Sequence, residues 1–284
     1  MTTTVPTALV TAARPRSRYA AALGTPRGIT GLALVALLCA LALLAPVLAP
    51  GGYDAQGAGA LQPGSWRALF GTDELGRHIL ARSLYGLRTD LGLVGLAVPV
   101  SAVIGTLIGL AGFLSRALGT ILQRCLDVVL GFPSLILGIS VALVLGSGWW
   151  ALFVAIVVYG LPAFGRLARA SLLGQAQREY VHAAQVMGVP RTTIMVRHIL
   201  PHALDPVIVQ IAVGMVGGIF LESSLSIVGL GIQPPAPSLG ALLNTGMRYM
   251  TTQHMYVLGP ALLLLLLALG LVLISDALNE AVQR

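Results

Sequence analysis

The stretch Ala261-Leu262-Leu263-Leu264-Leu265-Leu266-Leu267 lies inside an apolar run that continues to Ile274 and stops only at Ser275-Asp276. A run of that length fits the hydrocarbon core of a bilayer, which takes about 20 helical residues to cross. Similar runs occupy 28–49, 91–113, 121–145, 150–168 and 205–229, and with 256–276 they make six. The first, Gly28 to Ala49, holds no charge and ends at Pro50-Gly51-Gly52. Gly and Pro interrupt four of the runs, which membrane helices tolerate where neighbours satisfy the freed backbone groups. Strands of an outer-membrane barrel would alternate apolar and polar residues over about ten positions. These runs are too long and too evenly apolar for that, so the fold class is an all-α integral membrane protein with about six spans.

Composition agrees. Of 284 residues, 56% are hydrophobic and 10% charged, with a mean hydropathy of +0.88. An ordinary soluble domain carries roughly 25% charged residues, and a soluble fold is excluded. All 17 basic residues are Arg. Without Lys the chain cannot be a P-loop nucleotidase, so any energy from ATP must arrive from another chain. The net charge of +7 is scattered between apolar runs, with no arginine-rich stripe and interleaved aromatics, and nucleic acid is not an expected partner. Cys39 and Cys125, in or beside apolar runs, read as buried thiols.

With the N-terminus inside, internal segments hold 12 Arg and external ones 5, so the positive-inside rule places both termini in the cytoplasm. Residues 1–27 read as a disordered cytoplasmic tail, 28–49 as the first span, 50–90 as an external loop, and 91–284 as a core of five spans. The apolar part of the first run, roughly 20 residues, exceeds the 7–15 of a cleavable signal sequence. Within the external loop, Leu75, Ile79, Leu84 and Leu87 recur at helical spacing. That amphipathic stretch, 73–88, either lies flat on the outer surface or extends the second span. Trp149-Trp150 marks a membrane interface.

The internal loop 169–203 carries the most specific signal. Arg166, Arg169, Arg178, Glu179 and Arg191 supply a polar face, while Ala183, Ala184, Val186 and Met187 supply small and apolar contacts. Gly188-Val189-Pro190 stops the helix, since Gly permits a left-handed cap and Pro cannot continue the ladder. A second amphipathic stretch, Thr192 to Leu200, leads to Pro201. A helix–Gly–helix loop between two spans suits docking to a cytoplasmic partner.

Glu179-Tyr180-Val181-His182-Ala183-Ala184-Gln185-Val186-Met187-Gly188, followed by His198-Ile199-Leu200-Pro201, resembles the EAA motif of ABC importer permeases. Ala183, Ala184, Gly188, Leu200 and Pro201 match at the family's spacing, with His182 in the Glu position and His198 in the Ile position. The acidic-Tyr-Val start and the His-Ile-Leu-Pro end are similar to the peptide-importer branch. Two more stretches support that branch: Phe70-Gly71-Thr72-Asp73-Glu74-Leu75-Gly76-Arg77 with Tyr85-Gly86-Leu87-Arg88, and Glu222-Ser223-Ser224-Leu225-Ser226-Ile227-Val228-Gly229-Leu230-Gly231 with Pro234-Pro235 and Pro237-Ser238. The resemblance spans about 25–280 and is strongest to the C-type permease of dipeptide, oligopeptide and nickel importers.

That resemblance implies a type I ABC importer permease fold in a bacterial plasma membrane and a subunit without catalysis. It implies a second homologous permease forming the other half of the pathway, two ATPase subunits docked on the internal loops, and an external substrate-binding protein. ATP and Mg would be bound by the ATPases and no cofactor by this chain. Short peptides are the implied cargo; nickel chelates, glutathione and other small solutes stay open.

Glu222 and Ser226 lie inside an apolar run, where an ionisable group at mid-depth costs at least about 2.5–3.5 kcal/mol. Glu222 is either a pathway residue or a structural carboxyl at a subunit interface. Asp127, beside Arg124, reads as a local ion pair near the headgroups, and Pro133 as a kink in the third span. Asp205-Pro206 is expected to start the fifth span. His198 and His202 stand four apart like zinc ligands, but no Glu follows the first and Pro201 disturbs the turn, so no metal site is expected. His78 and His254 lie in external loops. An intramembrane enzyme finds no nucleophile elbow or facing Asp pair, and a secondary transporter finds no internal repeat.

Overall fold

The computed structural model describes residues 18–57, 59–66 and 68–283. A short helix α1 (Arg18–Leu23) precedes α2 (Pro26–Leu43), whose start is set by Thr25: its Oγ1 accepts the Gly28 N–H at 3.2 Å, and Pro26 needs no donor in the first turn. Helix α1 packs on the final helix, so the expected structureless tail is helical over 18–23, while 1–17 lie outside the described residues. After α2 the chain breaks at Leu44 and resumes as α3 (Ala45–Leu48).

The second membrane helix, α4 (Ile79–Leu114), has 36 residues, about 54 Å at 1.5 Å per residue. Of the amphipathic stretch 73–88, the part from Ile79 onward extends this helix while 73–78 form turns ahead of it, and residues 79–90 belong to the core and not to a loop. The third run is corrected most. It forms α5 (Arg116–Leu130) and α6 (Ser134–Leu145), bent by 98° between Ala117–Leu130 and Ser134–Leu145. Pro133 lacks an N–H and disfavours helical geometry at Phe132, so the kink expected at Pro133 is a sharp turn. Cys125 on α5 is exposed and Cys39 half-buried, which corrects the reading of two buried thiols.

Helix α7 (Trp149–Ala176) leads into the internal segment: α8 (Glu179–Val186), α9 (Arg191–Ile194), a π turn (Met195–Ile199) and α10 (Leu200–Ile227). Helix α10 therefore begins at Leu200, with Pro201 in its first turn, and its membrane-length part runs Leu204–Ile227, starting beside Asp205-Pro206. External helix α11 (Leu239–Met247) and the last span α12 (Met255–Gln283) complete the chain. Among the described residues, five helices are long and apolar enough to cross a membrane, or six if the bent pair is counted as one span.

The core lies between α4, α7, α10, α12 and α2, and includes Leu93, Val98, Ile156, Phe164, Ile219 and Leu267. Helices α4 and α7 approach most closely at Gly105 and Gly109, where a Cβ would overlap Phe164 and Gly165. Small residues at such crossings let membrane helices pack backbone to backbone. This pair carries the segment 177–199 at one end and the segment 70–78 at the other.

Candidate functional site

Helix α8 is held from one side only. Val181 and Ala184 are buried among Leu110 of α4, Leu172 of α7, and Ile194 and Ile199 of the returning arm. Its end closes as the spacing predicts: Gly188 takes φ +76°, its N–H donates to the Gln185 carbonyl at 3.0 Å, and the Val189 N–H to the Ala184 carbonyl at 3.1 Å. This is a Schellman closure. At the start, the Tyr180 hydroxyl donates to Gln175 Oε1 at 2.8 Å and lies 3.4 Å from the His198 carbonyl. Leu200 packs on the same apolar cluster and Pro201 is exposed.

The opposite face is open. Glu179, His182, Ala183 and Gln185 are exposed, and Val186 and Met187 are 88% and 74% exposed. Of the Ala pair, Ala184 packs inward and Ala183 faces out. Val186 and Met187, expected as packing contacts, instead form an apolar knob at the helix end. His198 is half-buried beside Tyr180, its ring centroid 6.2 Å away, and the His202 side chain lies outside the described residues.

Glu222 and Ser226 sit at the outer end of α10, enclosed by their own chain. Glu222 Oε1 accepts from Ser226 Oγ at 2.7 Å and Oε2 from Ser223 Oγ at 3.2 Å. Ser226 Oγ lies 3.4 Å from Ser238 Oγ, which caps α11 by accepting the Ala241 N–H at 3.1 Å. The next residue, Leu239, donates its N–H to Asp90 Oδ2 at 3.0 Å. Two carboxyls from α10 and α4 thus anchor the start of α11. Within this chain alone the Glu222 carboxyl is already fully enclosed. Asp90, fully buried, was missed because residues 79–90 read as a loop.

The external segment 70–78 is a charged knot. Asp73, without solvent exposure, accepts from Arg82 NH1 and Arg77 Nε at 2.7 Å each and from the backbone N–H groups of Leu75 and Arg77 at 2.9 Å. Arg77 also meets Asp54 at 3.0 Å and Glu74 at 3.3 Å, and the Tyr256 hydroxyl donates to Glu74 at 2.8 Å. Burial pushes the Asp73 carboxyl up, but the bonds from Arg82 and Arg77 outweigh it and hold it below its ordinary value. Burial likewise opposes the Arg77 charge, yet the bond to Asp54 and the Asp73 carboxylate raise its pKa. Near the C-terminal end of α5, Asp127 pairs with Arg166 of α7 at 2.8 Å, and the expected partner Arg124 is farther, at 3.6 Å. Pro133 ends the break between α5 and α6.

Comparison with known proteins matches residues 101–284 to the family described as binding-protein-dependent transport system inner membrane component. Among curated relatives, the dipeptide transport system permease protein DppC of Alkalihalophilus pseudofirmus is 33% identical over 90% of this chain and 84% of its own. The di/tripeptide transport system permease protein DppC of Pseudomonas aeruginosa is 36% identical, over 89% and 86%. The glutathione transport system permease protein GsiD of Pectobacterium atrosepticum is 36% identical, over 88% and 84%. An inward-facing structure of the MetNI methionine ABC transporter superposes with a TM-score of 0.57 at 20% identity, over 72% of this chain and 97% of that one. That likeness establishes a shared fold, the type I ABC importer permease fold.

Proposed function

The chain belongs to the family of binding-protein-dependent transport system inner membrane components, and on that premise we propose that it imports short peptides as one half of a two-permease pathway. It is a multi-pass, non-catalytic subunit of a bacterial inner-membrane ABC transporter, and ATP hydrolysis belongs to separate subunits. In our reading a second homologous permease completes the pathway, two ATPases bind ATP and Mg, an external binding protein delivers cargo, and both termini are cytoplasmic. The relatives named for dipeptides and di/tripeptides support this cargo class, and the glutathione relative widens it to a tripeptide with a side-chain linkage.

The observation that carries the coupling role is the one-sided seating of α8. Val181 and Ala184 fasten it to the inner ends of α4 and α7, while Val186 and Met187 project into open space. An ATPase that grips the knob can push the helix, and the buried side hands that push to the membrane helices. ATP binding then biases a two-state pathway by acting on another chain. Purification of the tagged chain in mild detergent, with partners identified by mass spectrometry, tests this. Recovery of a second permease and P-loop ATPases supports the reading; a chain that comes out alone and still transports without ATPases defeats it.

A further inference from the structure

Two open clefts adjoin where α7 packs against α10. One, of about 260 Å3, is lined by Ser101, Tyr159, Gln210, Gly214 and Gly217 among others, and the second, of about 210 Å3, by Ser134, Tyr159, Gly217, Phe220 and Ser224. Tyr159 and Gly217 belong to both. A Cβ at Gly217 would lie 3.2 Å from the Tyr159 ring, so the glycine is what lets the ring rest against α10.

Tyr159 and Gln210 both lie within the membrane-length stretches Trp149–Ala176 and Leu204–Ile227, more than one helical turn from either end. Tyr159 is 37% exposed and Gln210 half-buried, and among the described residues neither has a hydrogen-bond partner. Ser224 spends its one donor on the Phe220 carbonyl at 2.7 Å and keeps its lone pairs free to accept. Hydrocarbon would leave such groups unsatisfied, and irregular polar surface at membrane depth occurs where it meets protein or a water-filled cavity. No carboxylate lines either cavity. Arg166, at one edge, is already paired with Asp127.

We propose that Tyr159, Gln210 and Ser224 form this chain's wall of the transport path, an uncharged wet surface that exchanges hydrogen bonds with the amide backbone of a short peptide in transit. The proposal rests on the peptide-import reading. Uncharged donors and acceptors suit cargo whose side chains vary while its backbone stays the same. The phenol and carboxamide both donate and accept, so either edge of a peptide group can be met.

The test uses the assembled importer with Cys39→Ala and Cys125→Ser, and a charged methanethiosulfonate reagent that needs a thiolate in water. Single cysteines at Gln210→Cys and Ser224→Cys should react at least about tenfold faster than Leu265→Cys, on the apolar outer stripe of α12, because thiolate forms only in water. Saturating Ala-Ala should slow both. Rates no faster than Leu265→Cys overturn the wet wall, and fast labelling indifferent to Ala-Ala overturns the backbone contact. Tyr159→Phe, which removes one hydroxyl, should raise the KM for Ala-Ala uptake several-fold with little change in kcat; an unchanged KM counts against the contact. Should the unmodified importer carry no peptide at all, the cargo reading fails, and the labelling rates still decide the wall.

Discussion

The Val189 N–H donates to the Ala184 carbonyl at 3.1 Å, so the residue just past the Gly188 stop is bonded to a residue that anchors α8. The helix end, its buried contact and the exposed Val186-Met187 knob are thereby one rigid unit. Gly188, between the two, adopts the left-handed geometry that makes this bond possible.

Gly188→Ala should therefore weaken coupling without any steric clash, since nothing lies within 4 Å of the added Cβ. The cost is conformational, about 1–2 kcal/mol for a non-Gly residue in this region, and Gly188→Asn should cost less because Asn tolerates it. Transport-coupled ATPase activity of the reconstituted complex is the readout, with the order wild type, Asn, Ala.

Met187→Asp should leave the fold intact, because the side chain is 74% exposed and surface changes are usually within about 0.5 kcal/mol. Loss of an interface anchor typically costs about 2 kcal/mol or more, so co-purification of the ATPases should fall sharply. Val181→Asp, aimed into the apolar cluster, should instead lower the unfolding temperature in detergent.

Asp73→Asn should destabilise the external segment by about 3–5 kcal/mol, the usual penalty for breaking a buried ion pair. The native carboxyl titrates below its ordinary 3.8, so the unfolded chain takes up the proton first. Stability from Asp73 is then full above the ordinary value and is lost as pH falls through and below it. Thermal unfolding between pH 7 and pH 3 should show a decline at the acid end that is shallower in Asp73→Asn.

The Asp127–Arg166 pair joins α5 to α7 across open surface, with side chains 42% and 55% exposed. A double-mutant cycle with Asp127→Asn and Arg166→Gln should give a coupling of only about 0.2–1 kcal/mol in stability. A larger value would mean that the pair is shielded in the assembled importer.

The spans and the Gly188 stop were legible because each leaves a local mark: length of an apolar run, or a residue that alone suits a left-handed cap. The start of α4 was not. Arg82, Arg88 and Asp90 interrupt the hydropathy of 79–90, yet Arg82 and Asp90 are buried in bonds to Asp73 and to the Leu239 N–H, partners distant in sequence. Pro133 marked the place of the bend between α5 and α6, but its size was hidden for the opposite reason. Gly131-Phe132-Pro133 keeps the run apolar, and hydropathy carries no information about direction. Which of Ala183 and Ala184 faces inward depends on where Leu110 and Leu172 lie, and that is a tertiary fact.

The most direct measurement is uptake of labelled Ala-Ala into proteoliposomes holding this chain with its second permease and ATPases, with the external binding protein added outside. The account predicts accumulation only with ATP and Mg on the ATPase side, abolished by Met187→Asp at normal protein levels. Uptake driven by an ion gradient without the ATPases, or indifferent to Met187→Asp, would contradict it.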